Sequence, residues 1–192
     1  MDPFEIAPFD DFTFPPAFRI APGDLPPGVP SRVFYYPGAD ATGGRDGIIL
    51  EVDPPEMERW TGVFARGLGG DPARSVLTLP GGERFLVACN GAGYIVHAED
   101  PNDWAEVACT PVRGVLPVPA YDLVLVWDFT TLAAYDRDGL RWQTDRLVWD
   151  WLSILDISEG YVLAQGFNAP MDRDDQFRVE ISSGRAVGQP YS

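Results

Sequence analysis

The sequence predicts a mainly β protein made of antiparallel sheets in about three similar units, with one short helix. Two observations lead to this prediction. From residue 47 onward, short apolar segments rich in β-branched and aromatic residues alternate with turns that contain glycine and proline. The strongest of these segments recur at a spacing of about 40 residues, which indicates a repeated sheet unit. The 192 residues, 45% of them hydrophobic, suffice for one substantial core.

The first 36 residues are predicted to form an extended arm on a single β-rich domain, residues 37–192. Nine of the 19 prolines lie at or before position 37, and proline is excluded from helix interiors and central strands. Five phenylalanines lie within the first 18 residues. Because these side chains need cover from water, we expect the arm to lie across its own domain, although docking on a partner would cover them equally well.

A strand, a helix and a hairpin are predicted next along the chain. Residues 47–52, Gly-Ile-Ile-Leu-Glu-Val, have the composition of a strand. Residues 54–56, Pro-Pro-Glu, are suited to the first turn of a helix. Such a helix would place Met57, Trp60 and Phe64 on one side. The hairpin comprises strands at residues 75–79 and 84–89 and the turn Pro-Gly-Gly at 80–82.

The second strand of this hairpin has relatives further along the chain. Residues 85–90 align with residues 123–128 at an offset of 38. The same offset places Trp104 on Trp142 without a gap, and a further addition of 38 leads to another strand at residue 161. Repeats are therefore predicted to start near residues 85, 123 and 161. Since repeats bury equivalent faces, both tryptophans are predicted to be core anchors.

The unit that begins near residue 123 contains a strand, a second strand that ends in Tyr-Asp, a tight turn, and a segment that ends in tryptophan. In the second unit these features are Leu125-Val126, Ala133-Ala134-Tyr135-Asp136, Asp138-Gly139 and Leu140-Arg141-Trp142. In this order they resemble the blades of quinoprotein-like and WD-type β-propellers, and the similarity covers residues 84–184. The resemblance implies blade-like antiparallel units, and nothing in the sequence implies a quinone cofactor. Since propellers have about four to eight blades, three units imply a partial propeller, with a sandwich as the alternative.

The chain is strongly acidic, with a formal net charge of −15 from 29 Asp and Glu against 14 basic residues, all of them arginine. This composition argues against a nucleic-acid partner, because phosphate contacts require a basic surface. An acidic surface would steer the protein toward a basic protein partner, or it would serve solubility alone.

The sequence also predicts the compartment. The first residues have neither the basic nor the apolar region of a signal peptide, and the apolar run at residues 123–127 is too short to cross a bilayer. We therefore expect a cytoplasmic protein without membrane contact. Cys89 and Cys109 are expected to remain buried thiols there. Residues 123–188 also resemble sequences of bacterial proteins, a similarity that implies no activity.

No catalytic residue, metal ligand or cofactor is predicted. The two cysteines and His97 lack the spacing of a zinc site, and His97 aligns with Tyr135, which favours a structural role. A single histidine without a G-x-S-x-G motif makes a serine hydrolase improbable. The glycine-rich residues 67–70 and 91–93 lack the Lys-Ser/Thr sequel of a phosphate loop.

Two groups of residues are the candidate partner-binding sites. Asp172, Asp174 and Asp175 lie in what the repeat marks as an insertion, either a solvated acidic loop or a site for a hard cation. Trp149 and Trp151 share one face if strand alternation holds, opposite Leu152 and Ile154. Exposed, coplanar rings there would form a platform for a partner or a sugar.

These observations predict a non-catalytic binding protein, with an acidic immunity or anti-defence protein that caps a basic macromolecule as the concrete form. The alternative is a carboxylate-based enzyme or a carbohydrate-binding module. Nothing in the sequence indicates the oligomeric state.

Overall fold

The computed structural model describes residues 12–24, 32–37, 39, 47–69 and 74–188, and these residues form a mainly β protein. Helical structure in the described ranges consists of two three-residue 3-10 turns, Pro119–Tyr121 and Ala169–Met171. No helix among them is long and apolar enough to span a membrane. The strands are β1 Arg19–Pro22, β2 Val33–Tyr35, β3 Gly47–Asp53, β4 Trp60–Ala65, β5 Arg74–Thr78, β6 Arg84–Cys89, β7 Ala92–His97, β8 Trp104–Glu106, β9 Gly114–Val118, β10 Leu123–Trp127, β11 Leu132–Asp136, β12 Gly139–Gln143, β13 Asp150–Ser158, β14 Tyr161–Asn168, β15 Arg173–Glu180 and β16 Ala186–Val187.

The chain divides into two compact units, Met1–Val107 and Ala108–Ser192. Each unit contains two four-stranded sheets. The orders are β1-β3-β4-β2 and β5-β6-β7-β8 in the first unit, and β9-β10-β11-β12 and β13-β14-β15-β16 in the second. The sheets are antiparallel except for the parallel pair of β2 and β4. The predicted boundary at residue 36 lies inside the first unit.

Three of the four sheets are simple meanders, in which every strand pairs with the next one along the chain. The predicted repeat starts correspond to the second strands of these meanders, which begin at Arg84, Leu123 and Tyr161. The predicted number of three units is not confirmed, because the structure contains a fourth sheet that precedes them, and none of the four sheets closes on itself.

Part of the proline-rich segment belongs to this additional sheet. Residues 19–22 form β1, which pairs with β3. Phe14 and Phe18 are buried, and the hydroxyl of Thr78 donates to the carbonyl oxygen of Phe14. The segment therefore packs on the first unit from residue 14 to residue 22. Residues 1–11 and 25–31 of the predicted arm lie outside the described residues.

The predicted helix after residue 54 is wrong. Residues 54–59 have no regular structure, and Trp60 and Phe64 belong to β4, whose six residues are all buried. A spacing of four residues places two side chains on one side of either a helix or a strand, so the pattern did not distinguish them. β4 is a strand because β3 and β2 pair with it on both edges and satisfy its backbone groups.

In two sheets, the pairing of the third and fourth strands follows the offset of 38 residues: β7 with β8, and β11 with β12. Trp104 lies opposite Val96, and Trp142 lies opposite Ala134, so both tryptophans occupy the same place in their sheets. The second strands differ by two further residues, since Leu125, and not Leu123, takes the place of Phe85. The cause is the shorter pairing of the second hairpin. Two pairs follow Leu125 and Ala134, whereas four pairs follow Phe85 and Val96, and the longer connection at residues 128–131 makes up only two of the four missing residues.

Equivalent pairing does not give the two tryptophans equivalent surroundings. Trp142 is 9% exposed, and its indole nitrogen donates to the carbonyl of Ile181 at 2.9 Å. Trp104 is 37% exposed, so the prediction that it is a core anchor is wrong. The corresponding anchor of the first unit is Trp60, which is 1% exposed and donates to the carbonyl of Ala98 at 2.9 Å.

Each unit has its core between its own two sheets. In the first unit the ring of Tyr36 stacks on Phe64 at 4.5 Å between centroids, and Phe64 meets Phe85 of the next sheet edge to face. In the second unit Trp142 packs with aliphatic residues of both sheets and with Phe177. Cys89 and Cys109 are buried free thiols.

Replacing Gly184 with alanine is expected to destabilise the protein by about 2–4 kcal/mol. Gly184 has a φ of +72°, and an added Cβ would lie 2.6 Å from Cε3 of Trp142. Gly160→Ala is the matched control, because Gly160 has a φ of +81° and nothing within 4 Å of an added Cβ. Urea unfolding of the two variants measures the difference. Equal losses would show that the indole does not pack against this turn.

Candidate functional site

The candidate site begins at the four-residue connection between β10 and β11. Asp128 opens this connection, and its Oδ1 accepts hydrogen bonds from the backbone nitrogens of Thr130 and Thr131, both at 2.6 Å. Its Oδ2 accepts from the Thr131 hydroxyl at 2.8 Å. These bonds satisfy the buried carboxylate and hold the turn in one shape. Phe129 therefore has a fixed position at the tip of the turn.

The second part of the site is the start of β13, the edge strand of its sheet. Between Asp150 and Ser153 the pairing with β14 shifts, so that Trp151 and Leu152 together oppose Gly166. Trp151 has a φ of +59°, in the left-handed region that bulky residues avoid. The nitrogen of Leu152 turns away from β14 and donates to the carbonyl of Phe129 at 3.0 Å. The bulge therefore attaches the edge strand to the turn.

Five side chains around this bulge form what we call the aromatic–arginine cluster. The ring of Trp151 meets Phe129 edge to face, with 6.0 Å between centroids and 85° between planes. The guanidinium of Arg113 lies over the ring of Phe129, 4.7 Å from its centroid. Two residues before Trp151, the guanidinium of Arg146 lies 5.3 Å from the ring centroid of Trp149. The cluster consists of Arg113, Phe129, Arg146, Trp149 and Trp151.

Trp149 and Trp151 are large apolar side chains that remain in solvent, at 41% and 63% exposure. Leu152 is buried and Ile154 is half-buried. The bulge interrupts the strand alternation on which the shared face of the two tryptophans was predicted.

Arg146 is held in place by the backbone it covers. Its Nε donates to the carbonyl of Val148 at 2.9 Å and its Nη2 to the carbonyl of Trp149 at 2.7 Å. A guanidinium fixed over an indole stabilises one ring orientation through the cation–π interaction. The pair of Arg146 and Trp149 therefore has one defined geometry.

The three predicted aspartates lie at the same end of this sheet. Phe167 of β14 pairs with Asp150 on one side and with Asp174 on the other, which places the Cα atoms of the two aspartates about 10 Å apart. The structure therefore brings Asp174 near the start of β13. Asp172 closes the 3-10 turn before β15 with a φ of +49°, and Asp175 follows Asp174 in the strand.

The aspartates do not belong to an inserted loop, as the sequence suggested. A matching 3-10 turn, Pro119–Tyr121, precedes β10 and ends at Asp122, which has a φ of +51°. The turn before β15 therefore has the same conformation as the turn before β10. Asp174 and Asp175 lie in the long strand that follows it, because this strand continues its pairing with β14 to the last residue of the hairpin.

Asp175 has partners of its own. The side-chain amide of Asn168 donates to its Oδ2 at 2.6 Å, and Nε of Arg173 donates to its Oδ1 at 2.8 Å. The hydrogen bond from Asn168, with the hydrogen bond and charge of Arg173, lowers the pKa of the Asp175 carboxyl from its ordinary value. Of the three predicted aspartates, this one serves mainly to close its own hairpin.

Stability is expected to fall at acidic pH in a way that depends on Asp175. A carboxyl whose pKa is lower in the folded state stabilises the protein above its unfolded pKa, and this contribution is lost as the pH falls through the folded value. Asp175→Asn should therefore be less stable than the wild type at neutral pH and lose less stability below about pH 4. Asp174→Asn removes the same charge and is the control. Urea unfolding between neutral and acidic pH measures both slopes, and equal slopes for Asp175→Asn and the wild type would contradict the expectation.

The thiol of Cys109 is buried beside the same turn. It contacts the carbonyl of Val126 at 3.4 Å and the hydroxyl of Thr131 at 3.5 Å. Burial, with a smaller effect of the Asp128 charge, raises the pKa of Cys109 to about 11. A protonated, enclosed thiol is a weak nucleophile, so this cysteine is a packing residue at neutral pH.

The remaining candidates are not grouped into a metal site. Among the residues that the structure describes, no group of three or more His, Cys, Asp or Glu side chains is placed to hold a metal ion. Nδ1 of His97 accepts a hydrogen bond from the backbone nitrogen of Glu99 at 3.2 Å. His97 thus takes part in the turn that follows β7.

Three members of the cluster, Arg113, Phe129 and Arg146, were not found from the sequence. Phe129 had a local signal, because Asp-Phe-Thr-Thr after a strand is typical of a turn closed by an aspartate. The arginines had none, since their positions over the rings result from contacts between separate segments.

Comparison with known proteins adds no assignment. No protein-family model matches the chain, and no curated protein matches its sequence.

Proposed function

We propose that this protein is a non-catalytic binding protein and that the aromatic–arginine cluster is its contact surface for a basic protein partner. An acidic immunity or anti-defence protein that caps such a partner is the concrete form of this proposal. Tryptophan and arginine are the residues that most often dominate binding energy at protein interfaces. The cluster contains two of each, with a phenylalanine between them.

The observation that carries the proposal is the conformation of Trp151. A left-handed backbone costs a bulky residue about 1–2 kcal/mol, and an exposed ring recovers little of this through packing. A bulge protects an edge strand from unwanted pairing, but glycine or asparagine at this position would serve that purpose better. Because tryptophan is the costly choice for folding, its ring at 63% exposure points to binding.

Charge supports a basic partner. The first unit contains 17 Asp and Glu against 7 arginines, and the second contains 12 against 7, so both units are negative. A field of this sign steers a basic protein toward the chain over about one Debye length. At the site itself, Asp174 supplies an exposed carboxylate near the tryptophans. We therefore expect the carboxylates to govern the association rate and the rings to govern the dissociation rate.

The test is a comparison of matched variants as bait. The full-length chain, Trp151→Gly and Leu140→Ala are immobilised and exposed to a lysate of the source organism at about 0.1 M and about 1 M salt. Leu140 is 53% exposed on β12 and controls for the loss of an exposed apolar side chain. The proposal expects a basic protein that the wild type and Leu140→Ala retain, that Trp151→Gly loses, and that high salt releases.

Two results would contradict the proposal. If Trp151→Gly retained the same proteins as the wild type, the cluster would not be the contact surface. If the wild type bound glycans on an array, Trp151→Gly did not, and no protein depended on Trp151, the carbohydrate-binding alternative would replace it.

A further inference from the structure

The second unit contains a cavity of about 320 Å³ that the proposed function does not use. It lies between the two sheets of this unit, where the turn before β10, the middle of β12, the turn between β13 and β14, and the end of β15 meet. Its volume lies at the lower end of the range of small-molecule sites, about 300–1,000 Å³. Its walls include Tyr121, Leu123, Arg141, Glu159, Tyr161 and Ile181.

The back of the cavity is apolar and rigid. Leu123 is 1% exposed and Ile181 is 3% exposed, so both are parts of the core. The phenol oxygen of Tyr121 accepts a hydrogen bond from the backbone nitrogen of Gly160 at 3.0 Å. This bond fixes the phenol and leaves its own proton to be donated elsewhere. The cavity therefore has a preformed floor with an oriented hydroxyl.

The rim carries two opposite charges that do not neutralise each other. Arg141 and Glu159 both line the cavity and are exposed. Neither forms an ion pair or a side-chain hydrogen bond, with the other or with any further residue that the structure describes. A second carboxylate of the wall, Glu180, already accepts a hydrogen bond from the Ser183 hydroxyl at 2.6 Å.

A ligand with two charges fits this arrangement. An anionic group would pair with Arg141 through its forked donors, and a cationic group would pair with Glu159. We propose that this cavity binds a small zwitterion that carries a carboxylate and an ammonium group, of the size of an amino acid or a dipeptide. The carboxylate lies at Arg141, the ammonium group lies at Glu159, and the apolar part rests on Leu123 and Ile181.

The experiment titrates the full-length chain with free L-amino acids and with dipeptides up to about 10 mM and follows its amide NMR spectrum. Saturable shifts are expected at residues 159–161 and 180–182. N-acetyl-alanine and alaninamide each lack one of the two charges and should bind about tenfold more weakly than the best zwitterion, because one charge-assisted hydrogen bond is lost.

Variants identify the site. Arg141→Gln and Glu159→Gln are each expected to weaken zwitterion binding about tenfold, whereas Arg137→Gln and Asp138→Asn, in the nearby turn, should leave it unchanged. All four positions are exposed, so the variants are expected to fold. The proposal is overturned if no zwitterion of the set produces saturable shifts, if the singly charged analogues bind equally well, or if the control variants weaken binding as much as Arg141→Gln and Glu159→Gln.

Discussion

Replacement of Trp142 with alanine is expected to destabilise the protein by about 3–5 kcal/mol. The side chain is 9% exposed and packs between the two sheets of the second unit, so the change removes a large apolar surface and leaves a cavity. It also leaves the carbonyl of Ile181 without the indole donor that now lies 2.9 Å away. Urea unfolding followed by circular dichroism measures the loss.

Two further tryptophans make this prediction specific. Trp60→Ala should cost a similar amount, because Trp60 is 1% exposed and has the same type of bond to Ala98. Trp104→Ala should cost clearly less, since that ring is 37% exposed on a three-residue edge strand. Equal losses for Trp104→Ala and Trp142→Ala would show that equivalent pairing, rather than burial, determines the contribution of these residues.

The second large effect is expected on binding. Trp151→Gly should weaken the affinity for the partner by about 2–4 kcal/mol, roughly 30- to 1,000-fold, because it removes the central exposed ring of the cluster. The same change should leave stability within about 1 kcal/mol of the wild type, since glycine adopts a φ of +59° without strain and this gain offsets its greater entropy when unfolded. Surface plasmon resonance with the purified partner and urea unfolding measure the two quantities.

Trp151→Ala separates the ring from the backbone. It should lose as much affinity as Trp151→Gly but remain less stable than the glycine variant, because alanine keeps most of the strain. A large loss of stability in Trp151→Gly with unchanged affinity would assign the ring to folding and would remove the basis of the proposed contact surface.

Local patterns were sufficient to predict the class of the fold. Short apolar segments with β-branched residues, separated by glycine and proline, specify strands because each strand interacts mainly with the turns and strands next to it in the chain. The starts near 85, 123 and 161 were found for this reason, since the meanders pair neighbouring strands. The offset of 38 also placed Trp104 and Trp142 correctly in their sheets.

Ambiguous patterns led to the errors in the fold. Trp60 and Phe64 are four residues apart, a spacing that suits a helix and a strand alike, and only pairing on both edges made β4 a strand. The segment that supplies β1 contains proline at positions 15, 16 and 22, which disfavours regular structure locally. Residues 19–22 form a strand because their backbone pairs with β3.

The candidate site was only partly accessible to sequence analysis. Trp149, Trp151 and Asp174 could be selected from the composition of their segments, although the bulge interrupts the alternation that was expected to place both rings on one face. Their surroundings depended on distant segments. The ring of Phe129 approaches Trp151 from the connection between β10 and β11, and Arg113 lies over the Phe129 ring. Asp174 lies near Asp150 because both pair with Phe167.

The sequence by itself determined the β class, the spacing of the strands, the negative net charge and the candidate tryptophans, because each of these depends on composition or on interactions between neighbours in the chain. The tertiary structure decided which tryptophans are buried, where the edge strand bulges and which arginines cover the rings. These properties depend on the packing of segments that are far apart in the chain, and no local pattern specifies that packing.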